Sequence, residues 1–302
     1  LDVVMTPRSF ALLLVALSVV ACKGRGSLKP GETYAAQPPP PPAAPANGSQ
    51  LKEAEVLAFV NPQKLPVYTG PTGSIEGTIS ITGDPSPDVP GLDFRKCPAA
   101  KSMYEKLFRT GATQSNGAKT LADALVAVTG YGSYFVPERN ATHHLTFEHC
   151  AFDARTIDMT IGQNLEITNK DDALFAPSLA QAPLPALMLA AKNTAPVSLY
   201  PPRPGYYTVV DRMELAYLRG DLYVMLQPLH AVTSLDGHYR IDGIPVGEVT
   251  VNTRLARLRK ETSRKVVVDA NAVQTVDLTL DFKATTDVPK EPVVKTNSMP
   301  IP

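Results

Sequence analysis

From Ser74 to Leu280 the chain is a succession of short β-favouring runs broken by Gly, Pro, Asn and Asp, and no other feature constrains its fold as tightly. Ser74–Ile81 alternates, placing Ile75, Ile79 and Ile81 on one face. Ala124–Val128 is a continuous apolar run, the mark of a strand buried on both sides. Leu145–His149, Thr156–Thr160 and Asn164–Asn169 alternate, the last two hinged at Gly162. Tyr206–Val210, Asp221–Leu226, His238–Ile241, Val249–Thr253, Lys265–Val268 and Gln274–Leu280 complete the set. A strand every 8 to 20 residues predicts an all-β sandwich. A helix is expected at Ala99–Arg109, and either a short turn or an apolar loop at Leu184–Ala191.

Composition narrows the function. Apolar residues make up 44% of 302, enough for a sizeable core. Lys plus Arg and Asp plus Glu are equal at 29 each, so the basic excess that nucleic-acid binding needs is missing. No nucleophile elbow, zinc-protease helix or phosphate loop is present: Gly130-Tyr131-Gly132 lacks the helix a phosphate loop requires. The expectation is a protein that is not an enzyme, has no resident cofactor and binds no nucleic acid.

The N-terminus reads as an address. Arg8 precedes an apolar run, Phe10–Val20, which is shorter than the roughly 20 residues a bilayer span needs. Val19-Val20-Ala21-Cys22 follows, and this order resembles the lipobox of bacterial lipoproteins. That resemblance implies a signal peptide over 1–21 and lipidation of Cys22, with two or more acyl chains giving stable membrane anchoring. Lys23, where inner-membrane lipoproteins of diderm bacteria carry Asp, implies the outer membrane, facing the periplasm or the surface. An ordinary secretory signal cut elsewhere is the alternative. Residues 22–70, with Pro38–Pro42 consecutive, read as a Pro-rich tether reaching on the order of 100 Å. Gln50–Phe59 within it is a marginal helix, and 284–302 reads as a disordered tail.

Of the three cysteines, Cys97 and Cys150 remain as a pair. In an exported protein they make a disulfide, or else one is a metal-binding thiolate and the other a spectator. His143, His144 and His149 stand near Glu148 and are the weak metal candidates, although His144 and His149 have opposite strand parity. His230 and His238 are expected at the surface or in turns. Asp171-Asp172 is a turn or a weak calcium contact. Arg254, Arg257, Arg259, Lys260, Arg264 and Lys265 form a basic run, either a solvated hairpin or a contact for lipid headgroups, peptidoglycan or an acidic partner.

The run from Cys150 to Asp171, with Gly162, Leu165, Ile167, Asn169 and Asp171 in the pattern V-x-x-G-x-x-L-x-I-x-N-x-D, resembles cupredoxins, the plastocyanin- and azurin-like blue-copper fold, over about 120–226. The resemblance implies a Greek-key sandwich, and copper ligands at two loops. Phe175 stands where the first His is expected. Arg212, Leu215 and Leu218 stand where the family has Cys, His and Met. With two imidazoles and a thiolate missing together, type 1 copper is not expected.

Residues 231–251 carry Thr233, Gly237, Tyr239, Ile241, Ile244, Pro245, Gly247 and Val249. They resemble a carboxypeptidase regulatory-like (transthyretin-like) domain, a non-catalytic β-module. Asp236-Gly237 supplies a hairpin turn with positive φ at Gly237, and Pro245-Val246-Gly247 a second turn. The expected organisation is a cupredoxin-like sandwich over 71–228 and the second module over 229–283; residues 73–83 also resemble the opening strand of the latter, the alternative being that the cupredoxin-like part is inserted within it. The function expected is a cell-envelope lipoprotein presenting β-sandwich modules to a protein or glycan partner. The alternative is a periplasmic metal-handling or electron-transfer copper lipoprotein with a non-standard site.

Overall fold

The computed structural model describes residues 50–288, apart from 183–186, 214, 257 and 259. Cys22, the signal segment, the five prolines, Arg257, Arg259 and the tail beyond 288 lie outside the described residues. In chain order the elements begin with α1 (Glu53–Val60), β1 (Thr72–Gly83), α2 (Lys101–Tyr104), β2 (Thr110–Thr113), β3 (Lys119–Leu121) and β4 (Ala124–Thr129). Next come β5 (Thr142–Glu148), β6 (Ala151–Phe152), β7 (Thr156–Thr160), β8 (Asn164–Asn169), β9 (Pro177–Leu179), β10 (Val197–Leu199), β11 (Gly205–Asp211) and β12 (Arg219–Met225). The chain closes with β13 (His230–Val232), β14 (His238–Pro245), β15 (Gly247–Leu255), β16 (Glu261–Val268), β17 (Val273–Thr275), β18 (Leu278–Phe282) and α3 (Ala284–Asp287).

Two hydrophobic cores organise these strands. The first lies between the sheets β10-β8-β5-β6 and β7-β12-β11-β9 and holds Leu145, Phe147, Phe152, Ile157, Met159, Leu165, Phe175, Leu218 and Leu222. The second holds Ile75, Ile79, Val126, Val128, Tyr239, Ile241, Val251, Leu280 and Phe282. It lies between β14-β1-β3-β2, extended by β17 and β18 on β1, and the sheet β13-β4-β15-β16.

The boundary expected at 228 therefore does not follow the cores. β1 runs antiparallel to β14 and parallel to β17 and then β18. β4 lies between β13 and β15. The strands before residue 130 thus close the second sandwich, and residues 142–225 are inserted within it. The cause is burial: the Ile75, Ile79 and Ile81 face, and the inward half of the Ala124–Val128 run, find their apolar partners beyond residue 229. Where β1 changes partner from β17 to β18, a Cβ on Gly77 would lie 2.1 Å from the Val276 carbonyl oxygen, so only glycine fits. Gly237 has φ +77 in the β13–β14 turn, as the sequence required, and Gly247, in the second expected turn, has φ +125 between β14 and β15.

Four local expectations are corrected. The helix expected over 99–109 is a 3-10 turn (Pro98–Ala100) and the single turn of α2. The buried Arg155 guanidinium donates to the carbonyls of Met103, Lys106 and Leu107, and Leu107 N–H turns to Pro87 instead of continuing the helix. The strand expected to reach His149 ends at Glu148, because His149 and Cys150 adopt φ +53 and +61 in the turn to β6. Residues 50–70, read as the end of the tether, are part of the folded body: Val56 of α1 presses on Gly162, and Val67 bridges to Phe135. The start of the expected disordered tail is α3, where Asp287 is buried and caps Lys283 N–H. Among the described residues no helix is long and apolar enough to cross a membrane.

Candidate functional site

The positions at which the cupredoxin resemblance led copper ligands to be expected are built as core and loop. Phe175 is fully buried, its ring 4.5 Å from Phe147 and 6.2 Å from Phe152. Leu218 is buried in the same core and Leu215 packs on its margin. A carboxylate fastens the two loops. Asp211 Oδ1 accepts from Ala176 N–H (2.8 Å) and Met213 N–H (3.1 Å), Oδ2 accepts from Leu215 N–H (2.8 Å), and Arg212 N–H donates to Ala176 O (3.0 Å). Arg212 itself is exposed. Phenyl and isobutyl groups offer no donor atom to a metal.

The three weak metal candidates are not brought together. His144 is exposed, with Nδ1 3.5 Å from Glu166. His149 is exposed in the left-handed turn. His143 is half-buried, and burial pushes its imidazole below the ordinary value of 6.5, aided by the neighbouring His230 and His144 and opposed by Asp158 and Asp153. Among the described residues no three His, Cys, Asp or Glu side chains group around a metal position. Asp171 accepts from Cys150 N–H, and Asp172 pairs with Lys192 at 2.8 Å, so both carboxylates are engaged by the protein. Of the basic run, Lys260 pairs with Asp287 and Lys265 with Glu248.

Cys97 and Cys150 form a disulfide with Cα atoms 6.1 Å apart across 53 residues. It ties the segment before α2 to the β5–β6 turn. Its reduction, or Cys97→Ser with Cys150→Ser, is expected to lower stability by about 2–4 kcal/mol. An unchanged urea midpoint after full reduction would contradict this.

His143 gives a pH expectation. Its folded pKa lies below its unfolded value, so the unfolded chain binds the proton more readily. Stability therefore falls as pH drops below about 6.5, by at most about 1.4 kcal/mol per pH unit for this one proton. Unfolding midpoints between pH 7 and 5 should flatten in His143→Gln; an unchanged slope would show that another group carries it.

What the fold does assemble was missed in the sequence. His230, expected at the surface, has a side chain only 7% exposed. Its Nδ1 lies 2.7 Å from Asp158 Oδ2 and its Nε2 3.2 Å from Thr160 Oγ1. Thr160 in turn donates to Glu138 Oε2 at 2.8 Å. Burial pushes the Asp158 carboxyl up, but the hydrogen bond and charge of His230, with a smaller contribution from His143, hold it below the ordinary carboxylate value. This chain joins the two sandwiches, because β7 belongs to the first and β13 to the second. It does not form a nucleophile: Thr160 is 2% exposed, its hydroxyl proton goes to Glu138, and Thr160 N–H is spent on Gln163 Oε1. The one sequence signal was the alternation of Thr156-Ile157-Asp158-Met159-Thr160, whose polar face needed polar partners.

Beside this chain a cleft opens between the two sandwiches. Tyr223 pairs in register with Asp158, Met225 with Thr160, and Ala127 with His230, so the cleft wall continues the same faces. Its lining comes from β4 (Leu125, Ala127), β12 (Tyr223, Met225), β15 (Arg254) and β16 (Glu261), around about 700 Å³. A smaller cavity of about 250 Å³ under α1 includes Glu138 and Thr160 in its wall.

These observations define an all-β protein built of sandwiches. No family model matches the chain, and no curated protein matches it. Among solved structures, amicyanin from Paracoccus versutus is 13% identical over 30% of this chain and 85% of its own, with a TM-score of 0.24. A variant of amicyanin in its Cu(I) form is 12% identical over 29% of this chain and 86% of its own, with a TM-score of 0.24. A copper-containing nitrite reductase from Thermus scotoductus SA-01 is 15% identical over 33% of this chain but only 25% of its own, with a TM-score of 0.24. The likeness to cupredoxins is weak, covers a small part of the chain and transfers no residue role.

Proposed function

We propose that this chain is a non-catalytic, lipid-anchored protein of the bacterial cell envelope whose paired β-sandwiches bind a protein or glycan partner. The observation that carries the reading is the open cleft between the sandwiches, lined by side chains from both. The filled core at Phe175, Leu215 and Leu218 supports a binding role over electron transfer, since no soft donor stands there. We read the second sandwich as a carboxypeptidase regulatory-like module, supported by the Asp236-Gly237 and Pro245-Val246-Gly247 turns. We read the first as a cupredoxin-like module without its metal, and Cys22 as the lipidated residue that holds both at the outer membrane.

Metal analysis and a visible spectrum of the purified chain test the central point. The expected result is no stoichiometric copper and no blue absorption. A one-to-one copper content with a redox-active band would replace this reading with the electron-transfer one. Anchoring is tested separately: Cys22→Ser is expected to move the protein from the membrane to the soluble fraction.

A further inference from the structure

We propose that the cleft between the sandwiches binds a neutral saccharide chain, whose C–H face lies on Tyr223 and Met225 and whose hydroxyls bond to Arg254, Glu261 and Ser263. This rests on the binding-module reading and names the ligand class for it.

The two walls differ in chemistry. On the β12 side stand a phenol ring and a thioether, with Leu125 and Ala127 of β4 beneath them. On the β15–β16 side stand a guanidinium, a carboxylate and hydroxyls. Asn252 is framework, its amide spent on Ala127 O, Thr129 Oγ1 and Thr250 O. Arg254 and Glu261 are exposed cross-strand partners, and neither side chain enters a hydrogen bond or ion pair among the described residues. Ser263 is likewise exposed and uncommitted.

A pyranose matches these walls. Its ring carries an apolar C–H face that packs on an aromatic wall, and an equatorial edge of hydroxyls that donate to a carboxylate and accept from a guanidinium. Arg254 and Glu261 cancel in charge, so the cleft selects for neither a polyanion nor a polycation. Tyr206, 41% exposed and with its ring 5.4 Å from that of Tyr223, extends the aromatic wall outward, which suits a chain longer than the cleft. The volume falls within the roughly 300–1,000 Å³ of small-ligand sites.

An extended peptide fits less well. The cleft lies over the faces of β4, β12 and β15, and each of these strands is already paired on both edges. β16, the remaining lining strand, ends its sheet, so backbone pairing by a peptide is open only there.

The test is a titration of the full chain with cellohexaose, maltohexaose and the hexamer of N-acetylglucosamine, read by ligand-observed saturation-transfer NMR and calorimetry. At least one is expected to bind. Arg254→Ala, Glu261→Gln and Tyr223→Leu are each expected to weaken it about tenfold or more, with unfolding midpoints showing that the variants are folded. Failure of all three sugars to bind, or binding that survives all three substitutions, overturns the proposal. So does binding confined to oligogalacturonate, or capture of an envelope protein by a photocrosslinker at position 254. That last outcome leaves the binding-module reading standing, whereas hydrolysis of a bound sugar or stoichiometric copper would remove it.

Discussion

His230→Ala is expected to cost the fold about 3–5 kcal/mol, because it leaves a buried carboxylate without its partner. The Asp158 and His230 side chains are 16% and 7% exposed, so water cannot replace what is lost. Thr160 also loses a partner, since its hydroxyl then meets only Glu138. The sign of the pH dependence gives a second readout. In the parent, Asp158 is held below 3.8, so its contribution is present above that pH and is lost as pH falls through the folded value. Without His230 burial dominates, and the folded pKa rises above the unfolded one. Stability from this group is then lost as pH rises through the new value. The deficit of His230→Ala should therefore shrink between pH 7 and pH 4. Urea unfolding at both pH values checks it. In the double variant with Asp158→Ala the loss should fall well short of the sum of the single losses. A single-variant deficit below about 1 kcal/mol, or one that grows on acidification, would show that the pair does not fasten the two sandwiches.

Phe175→Ala is expected to cost about 3–5 kcal/mol, in the range for emptying a buried aromatic site. The ring has no exposed surface and contacts Phe147 and Phe152 across the first core, so its removal leaves a cavity that two rigid aromatic neighbours cannot fill. The matched comparison is Arg212→Ala, an exposed position in the adjoining loop, for which a change within about 0.5 kcal/mol is expected. Equal effects at the two positions would mean that residue 175 is not a packing residue of the first core.

Much of the strand content was legible. β7, β8 and β15 follow from alternation, and the turns at Gly237 and Gly247 from their residue types. The disulfide was one of two readings of the pair left once Cys22 was set aside as the lipobox cysteine. The helix over 99–109 was misread, because its carbonyls are taken by Arg155, about 50 residues away, and local propensity carries no information about such a competitor. α1 was marginal by length and is held by a surface at Gly162 and Phe135–Glu138 that its own sequence does not encode.

By itself the sequence determined the all-β class, through short alternating runs between turn residues, and it determined that no imidazole or thiolate stands at positions 175, 212, 215 and 218. Both are local properties, fixed by residue type and spacing. Only the tertiary structure decided between the two placements of residues 73–83, put β4 in the same sandwich as the strands beyond 229, brought His230 to Asp158 across 72 residues, and opened a cleft between the two cores. Those depend on which apolar faces bury one another, and a face defined by period two does not specify its partner.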